Sequence, residues 1–158
     1  MRYTIGIGEM KVSTSVEDIL ITYSLGSCVG LSLYDPVAQV GGLIHCMLPL
    51  SRISPDKAVS YPARFTDTGV VALLREVIAA GARKDRLIAR VAGAAKMLDE
   101  NGLFKIGERN YTVLRKVLWK NDVLIRSEDV GGTISRTVYL EMASGRTMLK
   151  SGGREREL

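Results

Sequence analysis

Histidine is nearly missing from this chain. His45 is the only one in 158 residues, and it is accompanied by only two cysteines, Cys28 and Cys46. A Cys/His zinc site needs about four ligands, and the Cys-x-x-Cys spacing is absent. Few carboxylates stand at metal-ligand spacing, so no metal is expected. Two cysteines at this length do not make a disulfide scaffold. No apolar run approaches the roughly 20 residues that span a bilayer, and Met1-Arg2-Tyr3-Thr4 lacks a signal-peptide layout. The expected compartment is the reducing cytoplasm, with no direct membrane insertion. Gly6-Ile7-Gly8 lacks the third glycine and the following helix of a dinucleotide fingerprint, and no Walker-type loop exists.

Hydrophobic residues make up 46% and charged residues 25%, the profile of a globular protein. Lys and Arg number 22 against 17 Asp and Glu, a net charge of +5. That excess permits an acidic partner without demanding nucleic acid, and none is expected. The cluster Arg83, Lys84, Arg86 and Arg90 is explained most simply as a solvated loop and strand face. With no linker or repeat, residues 1–150 read as one domain. The Gly- and charge-rich residues 151–158 read as a flexible tail.

The first third reads as strands: residues 3–8, 18–23, 29–33 and 40–48, the last opened by Gly41-Gly42 and stopped by Pro49. Val70, Leu73, Leu74, Val77 and Ile78 form one helical stripe, with Asp67 as N-cap or first-turn acid and Gly81 as the stop. A strand over 86–91 follows, then a helix over 108–120 with Tyr111, Leu114, Val117 and Leu118 facing inward. A strand over 123–126, a turn at Asp129-Val130-Gly131-Gly132, and a hairpin of 134–142 with 146–150 complete the chain. Strands first and a mixture afterwards favour α+β layering over a doubly wound parallel sheet.

If Cys-His or Ser-His chemistry exists here, His45 must be its base. A lone histidine among apolar neighbours is, by itself, more often structural. In Leu43-Ile44-His45-Cys46-Met47 alternate side chains point to opposite faces. Cys46 therefore points away from His45 and reads as a small buried apolar residue. Cys28 follows Leu25-Gly26-Ser27, where Gly26 allows a tight turn whose amides are placed to serve as an oxyanion hole. Spacing alone admits two readings of Cys28, a reactive thiol or a buried cysteine at a strand start. Thr22 is likewise either an ordinary β-branched strand residue or an acceptor that fixes the tautomer of His45.

Leu25-Gly26-Ser27-Cys28-Val29, followed by Gly41-Gly42-Leu43-Ile44-His45-Cys46-Met47-Leu48-Pro49, resembles the CheD family of chemoreceptor glutamine deamidases. Ile5-Gly6-Ile7-Gly8-Glu9, Asp35-Pro36, Tyr61 with Asp67, Ile106-Gly107-Glu108-Arg109-Asn110, Glu128-Asp129-Val130-Gly131-Gly132 and Arg136 extend the likeness over about residues 3–150. One departure is Ala92-Gly93-Ala94-Ala95-Lys96-Met97, which has alanine where the family often carries a second glycine.

The resemblance implies an α+β fold: a single-domain α/β/β layered sandwich, similar to the catalytic domain of the cytotoxic necrotizing factor toxins. It implies a catalytic Cys-His-Thr set carried by Cys28, His45 and Thr22. It implies hydrolysis of the side-chain amide of specific glutamines on methyl-accepting chemotaxis receptors, through a thioester and without a cofactor. In that scheme His45 lowers the thiol pKa from about 8.5, and amides around Gly26 stabilise the oxyanion. The same apparatus is expected to hydrolyse glutamate methyl esters as a secondary activity, since attack at the acyl carbon is shared. Gly26, Ser27, Tyr61 and Asp67 are candidates for oxyanion or substrate binding. The partners implied are the cytoplasmic helices of chemoreceptors and the CheC phosphatase. Phe104, in the Asn101-Gly102-Leu103-Phe104 loop, is either a CheC contact or a satellite core residue. Two other readings stand beside the deamidase: a mainly regulatory, non-catalytic partner of CheC, and a generic thiol peptidase or acyltransferase.

Overall fold

The computed structural model describes residues 1–97 and 105–158. Two five-stranded sheets and three α-helices are formed by these residues. The strands are β1 (Arg2–Thr4), β2 (Met10–Ser13), β3 (Ile19–Leu25), β4 (Val29–Asp35), β5 (Val40–Cys46), β6 (Ile88–Gly93), β7 (Ile125–Val130), β8 (Arg136–Glu141), β9 (Arg146–Ser151) and β10 (Arg154–Glu157). The helices are α1 (Pro55–Ser60), α2 (Thr66–Ala79) and α3 (Ile106–Lys120). One sheet runs β1-β3-β8-β9-β10, the other β2-β5-β4-β6-β7.

β4 and β5 are buried at every position because their sheet is the middle layer. On one face Leu31, Leu33, Ile44 and Cys46 pack with Val70, Leu73, Leu74 and Val77 of α2 and with Leu114 and Leu118 of α3. On the other, Leu43, Tyr34 and Ala92 meet Leu20, Val138, Leu140 and Leu149 of the first sheet. Each fully buried leucine in these layers contributes about 1.5–3 kcal/mol. Gly41 and Gly42 explain how both neighbours approach so closely. A Cβ on Gly41 would stand 2.7 Å from Met142 Sδ, and one on Gly42 would stand 2.8 Å from Leu73 Cδ1. The α+β layering read from element order is what the fold shows.

α2 ends as the sequence predicts. Gly81 adopts φ 119 and donates its N–H to Ile78 O, while Ala82 N–H reaches Val77 O. Ile78, counted with the apolar stripe, is 40% exposed because the helix leaves the sheet there. Asp67 lies in the first turn and does not cap. The strand expected over 3–8 stops early. After Ile5, residues 6–9 cross from one sheet to the other, with Gly8 N–H on His45 O at 2.8 Å and His45 N–H on Glu9 O at 3.0 Å. The strand expected over 123–126 begins at Ile125 and continues through Val130, into the stretch read as a turn.

Residues 151–158, expected as a flexible tail, include β10, which pairs antiparallel with β9. Its charged side chains supply cross-strand partners: Glu155 accepts from Tyr139 and lies beside Lys150. The basic cluster also differs from a uniformly solvated face. Arg86 pairs with Asp35, Arg83 with Asp85, and Arg90 donates to Gly145 O.

Candidate functional site

Register decides which side chains meet. Gly30 of β4 stands opposite His45 of β5, and Val29 opposite Cys46. Alternation therefore puts Cys28, two residues before Gly30, on the same face as His45, facing the first sheet. Cys46 faces α2 instead. It is fully buried, its Sγ lies 3.2 Å from where a Gly69 Cβ would stand, and burial pushes its thiol far up. Cys28 is half-buried against the cluster shared by the two sheets.

Thr22 reaches His45 from β3 across the gap between the sheets. Its Oγ1 lies 2.7 Å from His45 Nδ1 and 2.7 Å from Ile5 O. A carbonyl only accepts, so the single hydroxyl proton of Thr22 goes to Ile5 O. Thr22 Oγ1 must then accept from Nδ1–H. That assignment leaves Nε2 of neutral His45 with its lone pair free. Nε2 is buried and has no hydrogen-bond partner among the described residues. A buried unpartnered acceptor is costly in a folded protein and marks a place where something else is to bind.

Burial sets the protonation of both groups. It pulls the His45 imidazole down to about 4 and pushes the Cys28 thiol up to about 11, against a smaller downward pull from the cysteine's own backbone N–H. The lowered thiol expected from a neighbouring histidine is not what the structure shows. Desolvation outweighs any pairing, and no hydrogen bond joins Sγ to Nε2. The resting pair is a neutral thiol and a neutral imidazole.

The remaining candidates fall into separate places. Gly26 opens a bend over residues 26–28, in line with the tight-turn reading though without left-handed backbone, and a Cβ there would meet Met97 Sδ at 3.1 Å. Left-handed backbone occurs nearby at Ser24, Gly93 and Ala94, at φ 58, φ 103 and φ 54, so the alanine of the atypical stretch carries a conformation that favours glycine. A Cβ on Gly93 would strike Cys28 O at 2.4 Å. Ser27 is half-buried and its carbonyl is hydrogen-bonded to Asn110. Asp67 is engaged rather than free: its carboxylate accepts from Ser51 N–H, Ser51 Oγ and Thr68 N–H. It holds the 51–64 segment in place. Tyr61 is 56% exposed, with the Arg64 guanidinium 4.9 Å from its ring centroid. Arg64 O in turn accepts from Met47 and Leu48, just beyond β5. Phe104 lies outside the described residues.

Two contributors escaped the sequence reading. Ile5 acts through its carbonyl, which no side-chain pattern reveals. Asn110 is fully buried on the apolar side of α3, and its position among Gly107, Leu114 and Leu118 was a usable signal. Among the described residues no group of three or more His, Cys, Asp or Glu side chains is placed to hold a metal ion. No helix among them is long and apolar enough to cross a membrane.

The comparisons of sequence agree with one another. Residues 47–151 match the model of the family described as CheD chemotactic sensory transduction. A Solibacter usitatus protein named "Probable chemoreceptor glutamine deamidase CheD" is 49% identical over 154 residues, covering 98% of this chain and 91% of that protein. A Syntrophus aciditrophicus protein named "Probable chemoreceptor glutamine deamidase CheD 1" is 46% identical over 155 residues, covering 98% and 97%. Among solved structures, a Neisseria meningitidis protein of family-model DUF152 superposes at TM-score 0.47 with 10% identity, covering 84% of this chain and 62% of that one.

Proposed function

This chain belongs to the CheD family, and from that premise we propose that it is a chemoreceptor glutamine deamidase, converting receptor glutamine side chains to glutamate. The observation that carries the reading is the buried hydrogen bond from His45 Nδ1 to Thr22, which leaves Nε2 as an unpartnered base on the face that carries Cys28. In the proposed reaction His45 Nε2 takes the Cys28 thiol proton as Sγ attacks the glutamine carboxamide carbon. With the thiol near 11 and the imidazole near 4, proton transfer accompanies attack rather than preceding it. The imidazolium then returns the proton to the departing nitrogen, and ammonia leaves a thioester. Water, deprotonated by the same Nε2, attacks the thioester. Glutamate is released and the thiol takes back its proton. Thr22 keeps Nδ1 protonated throughout the cycle and so keeps Nε2 available as the base.

The same attack on a glutamate methyl ester expels methanol, so methylesterase activity belongs to the proposal as a secondary reaction. Ser27, with Tyr61 on the exposed segment beyond β5, is proposed to meet the receptor helix. Docking of CheC, a cytoplasmic site of action and a likeness to the catalytic domain of the cytotoxic necrotizing factor toxins complete the reading.

The test is a receptor cytoplasmic fragment incubated with the wild-type protein and with Cys28→Ala, then analysed by mass spectrometry. A gain of about 1 Da at glutamine, the difference between an amide and an acid, is expected with the wild type alone. No gain on any receptor fragment, together with CheC binding, would overturn the enzyme in favour of the regulatory partner.

A further inference from the structure

Asn110 of α3 is fully buried, and every polar atom of its side chain is used. Nδ2 donates to Ser27 O at 3.0 Å and to Met47 O at 3.1 Å, while Oδ1 accepts from Thr66 Oγ1 at 3.0 Å. The orientation of the amide follows, because two carbonyls require its two N–H groups. Ser27 immediately precedes Cys28, and Met47 lies two residues after His45. One side chain thus ties the loop bearing the thiol to the strand bearing the base.

The loop carbonyls add direction. Gly26 O accepts from Ala95 N–H at 2.8 Å, Cys28 O accepts from Ala94 N–H at 2.8 Å, and Ser27 O, between them, is held by Asn110. In a trans peptide the N–H points opposite to the C=O before it. Holding Ser27 O toward α3 therefore aims Cys28 N–H away from α3. That N–H belongs to the same residue as the sulfur that would attack.

We propose that Asn110 is a positioning residue: by holding Ser27 O it fixes the Ser27–Cys28 peptide so that Cys28 N–H is the oxyanion donor when Cys28 attacks a carbonyl. This rests on the reading of Cys28 as an acyl-transfer nucleophile.

The test compares full-length wild type, Asn110→Ala and the near-isosteric Asn110→Asp, each checked for folding by circular dichroism. Three rates are read: ammonia release from a receptor fragment, burst acylation by p-nitrophenyl acetate, and alkylation by iodoacetamide across pH. Acylation and deamidation pass through an oxyanion, whereas alkylation is a displacement at carbon that forms none. Both variants are expected to lose about 100-fold in kcat and in acylation rate. KM should stay within about threefold of wild type and the alkylation profile within about twofold, because neither depends on the oxyanion donor. Unchanged kcat in a folded variant overturns the inference. So does a parallel loss of alkylation, or failure of both variants to fold, since Asn110 would then be only a strut. Wild type that acylates but releases no ammonia from any receptor sinks the deamidase reading while leaving Asn110 to be judged on acylation. Wild type that does neither overturns both.

Discussion

The β4–β5 hairpin has a polar side chain buried at each end, and the two ends are built on opposite terms. At the turn end Asp35 is fully buried and its carboxylate is saturated. It accepts from the N–H groups of Val37, Ala38 and Arg83 and from the Arg86 guanidinium. Burial alone would raise its carboxyl. Arg86 foremost, with the three amides, more than offsets that and holds it at about 2. At the open end His45 is just as buried, yet one ring nitrogen has a partner and the other has none among the described residues. The same strands thus carry one charge whose needs are met and one base whose needs are not. A satisfied buried group fixes a fold. An unsatisfied one costs stability and is retained where a reaction can use it.

That contrast is most exposed to failure at Cys28. Cys28→Ala should abolish ammonia release, a loss of at least about 10⁴-fold, and leave the melting temperature within a few degrees. Residual turnover above that level would move the chemistry elsewhere. His45→Gln should cost about 10³-fold as the base is lost. Glutamine brings a buried carboxamide with only Thr22 as a near partner, so thermal stability should fall as well, as a calorimetric scan would show. Thr22→Val should cost about 100-fold, since Nδ1–H loses its acceptor and the imidazole its fixed tautomer. The same change leaves Ile5 O and Nδ1–H unpaired, at about 1–3 kcal/mol in a urea titration. Thr22→Ser should recover most of both, and recovery of neither would assign Thr22 to packing alone.

Legibility in the sequence followed the same division. Periodicity marked β3, β4, β5, α2 and α3, because burial on one or both faces leaves a pattern in residue type. Alternation at His45 and Cys46 was enough to separate the two cysteines. What stayed hidden was whatever depends on backbone atoms or on one long-range contact. Ile5 enters the site through a carbonyl. Asp67 was read as a helix-start acid and a substrate contact, yet its oxygens are spent on Ser51, sixteen residues away. β10 was missed because Arg154-Glu155-Arg156-Glu157 has no apolar face and is a strand only through its neighbour. The direction of the Cys28 pKa was also out of reach, since sequence shows that a histidine is near but not how much water the fold excludes.

Asp35→Asn probes the other end of the hairpin. Breaking its pair with Arg86 should cost about 3 kcal/mol of stability and leave kcat within about twofold. A fall in kcat would mean that the two ends are not independent.

The last comparison is one of pH, and it separates the ends by window. An unfolded chain protonates His45 near 6.5, whereas the folded protein holds off until about 4. Between those values the unfolded state binds the extra proton. Stability must therefore fall as pH drops from 6.5 to 4, by up to about 3 kcal/mol, and then level off for this group. Asp35 works lower down: its contribution is present above 3.8 and is lost as pH falls toward 2. Asp18 and Asp129 are also held below their ordinary value, so only differences from the parent isolate each group. His45→Gln should flatten the upper window and leave the lower one, and Asp35→Asn should do the reverse, both read from urea midpoints between about pH 2 and 7. If His45→Gln leaves the upper slope intact, burial does not hold His45 neutral in the folded protein.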